Sequence, residues 1–221
     1  MFRVILQSHW SWSKLLLGPG IVAAFALPIL SVQQAGNLSD PQLSAWGTAG
    51  VLHEMEEWGI WYAALAAALG LALATSAWAS DHRGGHAYAL SLPVERWRYV
   101  LLRYASGVVL LAAPIVFFWL GALLAAAAIE LPDGFHAYPT ALAMRFALAA
   151  LLAFSVFFSI SAGTARTAGY ILVPIGGLLA AQLLLTTAGV GFDPLAYVIG
   201  RLTSWPGPFE VFTGRWMLID V

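Results

Sequence analysis

Five long apolar stretches, at 15–35, 58–79, 99–129, 141–162 and 168–188, constrain this chain more than any other feature of it. A hydrocarbon layer about 30 Å thick is crossed by about 20 helical residues rising about 1.5 Å each, and every stretch meets that length. A helix on a soluble core would instead alternate apolar and polar faces with a period near 3.6 residues. Hydrophobic residues make up 61% of the 221 and charged residues only 10%, so lipid has to cover what one internal core cannot hold. The reading is an all-α integral membrane protein. It forms a single domain over 1–221, a bundle of five transmembrane helices.

Small residues within or beside the stretches, Gly107, Gly121, Gly163, Gly176 and Gly177, fit close helix approach. The first 14 residues are too long and too polar for a cleaved leader. In them Arg3, Gln7, Ser11 and Lys14 fall on one helical face and Phe2, Ile5, Leu6 and Trp10 largely on the other. This pattern predicts an N-terminal amphipathic helix over 1–14, lying on the inner membrane surface. At the other end, 190–221 mixes Pro194, Pro206 and Pro208 with Trp205, Phe209, Phe212 and Trp216, which suits an outer-side re-entrant or interfacial segment. A sixth helix is expected to start at Trp216 and to be cut short by the end of the sequence.

Orientation follows from the basic residues of the short loops. With the N-terminus in the cytoplasm, the inner segments hold Arg3, Lys14, Arg83, Arg96, Arg98, Arg103 and Arg166. The outer ones hold Asp40, Glu54, Glu56, Glu57, Glu130, Asp133, Asp193, Glu210 and Asp220, against Arg145, Arg201 and Arg215. A net charge of −1 without a basic run gives no reason to expect nucleic acid as a partner. Without cysteine there is no disulfide and no thiolate metal site.

Between the second and third stretches the sequence runs SDHRGGHAYALSLPVERWRYVLLRYASG. Its cytoplasmic part, 81–98, reads as a short helix ending at Leu92-Pro93 and a new helix start. Arg96, Tyr99 and Arg103 share one face at the inner boundary, where arginines can pair with lipid phosphates or with acids of a docked protein. This segment resembles the membrane subunits of type-2 ABC exporters, the ABC-2 permease family. The matching residues are Asp81, Gly85, Leu90, Leu92, Pro93, Arg96 and Arg103, with His86 where the family usually has Thr and Arg103 where it usually has Lys. The resemblance covers about residues 1–190, and the family's sixth span is the main departure.

The resemblance implies a permease subunit in a bacterial inner membrane, paired with a second permease subunit in a homo- or heterodimer and driven by an ABC ATPase subunit. The loop would be the coupling helix, with Asp81, Gly85, His86, Leu90, Pro93, Arg96 and Arg103 as partner-coupling residues. On the physics alone the first reading of the loop is a connector whose arginines only satisfy the positive-inside bias, and it is the resemblance that favours the coupling role.

Other chemistry is sparse. There is no P-loop, and Lys14, the one lysine, has no glycine run before it. The middles of the spans carry no Asp, Glu, Lys or His for an ion relay, so transport would need an external energy source and no cofactor of its own. His53 and Glu57, four apart, have metal-chelating spacing, but an acidic cap on the second span explains them as well. His9, His82, His86 and His136 divide between the two sides of the membrane and do not converge with them. Thr75, Ser76, Ser106, Ser155, Ser159, Gln182, Thr186 and Thr187 lie inside spans, where bonding to helix carbonyls or bridging between helices is the first expectation. Uncharged spans favour a hydrophobic or amphipathic cargo. A non-transporting membrane scaffold or anchor subunit is the alternative.

Overall fold

The computed structural model describes residues 1–36, 47–83, 95–129, 131, 135–163, 165–187 and 191–220. In chain order these form α1 (Phe2–Gly36), α2 (Gly47–Arg83), α3 (Arg96–Ala128), β1 (His136–Ala137), α4 (Pro139–Ser161), α5 (Ala165–Thr187), α6 (Pro194–Thr203), α7 (Glu210–Thr213) and β2 (Ile219–Asp220). Within the described residues, four segments are long and apolar enough to cross a membrane: Phe2–Gln33, Glu56–Ala79, Arg96–Ala128 and Pro139–Ser161. Val173–Thr187 of α5 is a shorter apolar run among the described residues.

The chain divides into two units, Met1–Phe158 with Arg215–Val221, and Ser159–Gly214. In the first unit α1 lies along α3 and α2, and glycine sets the closest approaches. A Cβ on Gly121 would stand 2.2 Å from the Phe25 carbonyl oxygen, and one on Gly107 would stand 2.1 Å from the Phe154 ring. Aromatic rings fill the core between α2, α3 and α4. Phe118 stacks on Phe146 at 4.0 Å between centroids, and Tyr62 meets Phe118 edge-on at 5.5 Å. Tyr104 lies 5.3 Å from Phe154, and Trp78 lies 5.2 Å from Phe158. An edge-on pair such as Tyr62–Phe118 adds about 0.5–1.5 kcal/mol beyond its buried area.

Two expectations about the ends of the chain are corrected. The segment 1–14 is not a separate surface helix, because α1 runs unbroken from Phe2 to Gly36. No proline or glycine interrupts the chain before Gly18, and an isolated Lys14 does not break a helix. Arg3, Gln7, Ser11 and Lys14 do face outward, but His9, Ser13 and Leu17 form a buried line against the bundle. Nor does a helix start at Trp216. Residues 215–218 are not helical, and β2 pairs antiparallel with β1 through His136↔Asp220 and Ala137↔Ile219. Trp216, Leu218 and Ile219 are buried, with Trp216 beside Tyr62 and under the Arg145 guanidinium. Packing onto the first unit takes Trp216 out of solvent without any helix.

The second unit holds α5, α6 and α7. Asp193 caps α6 by accepting from the Ala196 amide at 2.7 Å, and Pro194 occupies its first turn. The Leu195 amide donates to Gln182 Oε1 of α5 at 3.4 Å.

Candidate functional site

At one end of the first unit, the last turns of α2 and the first turns of α3 are joined by a buried ionic cluster. Ala77, Trp78 and Asp81 come from α2. Tyr99 and Arg103, four residues apart, come from one face of α3. Arg103 Nη2 donates to Asp81 Oδ1 at 2.7 Å, its Nε donates to the Tyr99 hydroxyl at 2.8 Å, and its Nη1 donates to the Ala77 carbonyl. The Tyr99 hydroxyl in turn donates to the Asp81 carboxylate at 3.1 Å. The Arg103 guanidinium carbon also lies 5.2 Å from the Trp78 ring centroid and 4.8 Å from that of Tyr99. The Asp81 side chain is 0% exposed and that of Arg103 8%. Such burial is tolerable only because each charge is paired and hydrogen-bonded.

One helical turn deeper, His9 of α1 joins the same two helices. Its Nε2 lies 3.0 Å from the Leu73 carbonyl and 3.1 Å from Ser76 Oγ, and its Nδ1 lies 2.9 Å from Ser106 Oγ. A carbonyl only accepts, which assigns the Nε2 hydrogen to the neutral ring. Ser76 donates to the Leu73 carbonyl and Ser106 to the Arg103 carbonyl, at 2.9 and 2.7 Å. Ser76 therefore presents its oxygen to the Nε2 hydrogen, while Ser106 Oγ lies between two acceptors, the Arg103 carbonyl and the unprotonated Nδ1, for its one hydrogen. Ser106 is fully buried and Asp81 is engaged by Arg103 and Tyr99, so these groups do not make an activated nucleophile. They line a cavity of about 310 Å³ that Val4, Ile5 and Ser8 of α1 close from one side.

The residues singled out in the sequence distribute unevenly. Asp81 and Arg103 come together, but with each other rather than with lipid phosphate or an outside acid. Tyr99 shares their face, and Arg96 is exposed. Gly85, His86, Leu90 and Pro93 lie outside the described residues, as do the side chains of His53 and Glu54. Among the described residues no group of three His, Asp or Glu side chains is arranged to hold a metal. The span hydroxyls behave as expected. Thr75 donates to the Leu71 carbonyl, Ser155 to Leu151, Thr186 to Gln182 and Thr187 to Leu184, and Ser155 also meets the Tyr104 hydroxyl at 2.8 Å.

His9 was not legible as a site residue. Its only signal was its place in a line with Ser13 and Leu17 at fourfold spacing, a face that the outward charges of the segment obscured. His9 and Arg103 both lie within membrane-length segments, near their ends rather than in their middles.

Fold and cluster together define the class: an all-α, multi-pass membrane protein whose first three helices are joined at one end by buried polar and ionic bonds. Set against family models, curated proteins and solved structures, the chain matches none.

Proposed function

We propose that this chain is the membrane-spanning permease subunit of an ATP-driven exporter of the ABC-2 kind, with its N-terminus in the cytoplasm of a bacterial inner membrane. It moves a hydrophobic or amphipathic substrate by alternating access, powered by a separate ATPase subunit and in company with a second permease subunit. The observation that carries the proposal is the Asp81–Tyr99–Arg103 cluster. It ties the two stems of the loop 84–94, which bears most of the family-like motif, so that a push on the loop moves α2 and α3 as one body. His9 extends the tie to α1.

Connectivity supports five spans. α4 starts next to β1 and, at about 1.5 Å per residue, runs its 23 residues for about 34 Å before ending at Ser161. The chain is back beside β1 by β2, at the opposite end of α4. We read the stretch between as crossing once more, since α5, with 23 residues, has the length to do so. In the same arrangement the exposed Arg3, Trp10, Trp12 and Lys14 of α1 fall in the inner headgroup region.

The test reads the loop directly. Arg96 is exposed at the start of α3, and Arg96→Glu reverses a charge there without touching the buried cluster. Expected are unchanged expression and loss of co-purifying P-loop ATPase or of its substrate-stimulated hydrolysis. An ATPase bound and stimulated as before, or no ATPase recovered with the wild-type chain, returns the protein to the anchor reading.

A further inference from the structure

The second unit carries a built surface that the exporter reading does not use. On α6, Tyr197 and Arg201 stand one turn apart on one face, with the guanidinium carbon 5.6 Å from the Tyr197 ring centroid. The chain then folds back over the end of the helix. The Ser204 amide donates to the Gly200 carbonyl at 2.9 Å and the Phe209 amide to the Leu202 carbonyl at 2.9 Å. The return is close enough that a Cβ on Gly207 would stand 2.4 Å from the carbonyl oxygens of Arg201 and Leu202. Gly200, Ser204, Trp205 and Gly207 join Tyr197 and Arg201 around an open cradle of about 470 Å³. On the side of α6 turned away from Tyr197 and Arg201, and on the return segment, apolar side chains are uncovered. Trp205 is 86% exposed, Ile199 49% and Leu202 39%.

A short helix with one cation, flanking aromatics and an uncovered apolar side has the chemistry of a headgroup-level element. Rings and aliphatic chains reach the acyl boundary while the guanidinium meets phosphate. Among the described residues, Arg201 is the only charged group lining the cradle, so the charge it complements is negative. We propose that α6 with its return segment is a phospholipid site, in which Arg201 takes the phosphodiester of a lipid and the exposed Trp205 rests against its acyl chains. The proposal rests on the membrane-spanning reading above. It adds a ligand class and a set of binding residues.

The test uses the full chain, which has no cysteine of its own. Bimane is placed at Val198→Cys on α6 and, separately, at Val116→Cys on α3, both exposed positions, and each protein is reconstituted into phospholipid vesicles. Nitroxides carried on lipid headgroups are expected to quench Val198, and nitroxides in mid-chain to quench Val116. Quenching of Val116 by lipid but of Val198 only by aqueous iodide overturns the site and leaves the membrane reading standing. Absence of lipid quenching at both overturns the two together.

The contact itself is read by the phospholipid retained on the chain through gel filtration in mild detergent. Arg201→Ala is expected to bind phospholipid about fivefold more weakly, the loss of one basic contact at a lipid surface, and Arg201→Lys to keep most of the binding. Retention unchanged in Arg201→Ala overturns the assignment. So does displacement of the lipid by inorganic phosphate alone, which would make the cradle a soluble-anion site.

Discussion

Arg103 directs its donors to three kinds of acceptor at once: a carboxylate, a phenol and a helix carbonyl. Removing it alone leaves the buried Asp81 carboxylate without its cation, and breaking a buried pair in this way typically costs about 3–5 kcal/mol. Arg103→Met should therefore lower the thermal midpoint of the detergent-solubilised protein sharply. Arg103→Met combined with Asp81→Asn should recover part of the loss, because no net charge is then left buried. His9→Ala should be milder, at about 1–2 kcal/mol, although it removes contacts to two helices. Ser76 and Ser106 keep their bonds to the Leu73 and Arg103 carbonyls, so no hydroxyl is orphaned. A larger midpoint loss for His9→Ala than for Arg103→Met would show that the histidine, not the ion pair, is the main tie. The sequence placed Arg96, Tyr99 and Arg103 on one face but had no means of telling whether that face turned outward. The answer depended on Asp81, across the loop, being within reach.

At the scale of the helices, glycine separates two kinds of surface. On α3, a methyl group at Gly121 meets the Phe25 backbone, which has no rotamer by which to yield, and at Gly107 it meets the fully buried Phe154 ring. Gly121→Ala and Gly107→Ala should each destabilise by about 1–3 kcal/mol through overpacking. On α5, Gly176 and Gly177 have nothing within 4 Å of where a Cβ would stand. Gly176→Ala and Gly177→Ala should be neutral or gain up to about 1 kcal/mol of helix propensity, read as unchanged or raised thermal midpoints. A loss of dimer at unchanged monomer stability would instead put a second subunit against that face. The existence of the four membrane-length helices, and the bounds of α3 and α4 to within a few residues, could be read from the apolar blocks, because block length is the property the bilayer selects. The continuity of α1 through Lys14 could not, since one polar residue is compatible with either arrangement. Nor could the pairing of 219–220 with 136–137, because two residues carry no periodicity.

At the scale of the whole molecule, the five-span proposal rests on the small β1–β2 ladder. It fixes the chain at Ile219–Asp220 to the end of the first unit that holds the α3–α4 connection, while the Asp81–Arg103 cluster and the start of α1 lie at the other end. If the basic bias of the loops sets orientation, Arg98 belongs to the cytoplasm and His136 to the outside. Thr213, two residues before the chain rejoins the first unit, must then be outside with His136. All three side chains are exposed, so Arg98→Cys, His136→Cys and Thr213→Cys can each be placed in a cysteine-free background and labelled with a membrane-impermeant maleimide. His136→Cys and Thr213→Cys should react in intact cells, given passage through any outer membrane, and Arg98→Cys only after the inner membrane is opened. Reaction of all three in intact cells would remove the bilayer from between the two ends of the bundle. Thr213→Cys reacting with Arg98→Cys rather than with His136→Cys would mean that α5 does not cross, and would break the five-span topology even though the four longer helices still had the length to span.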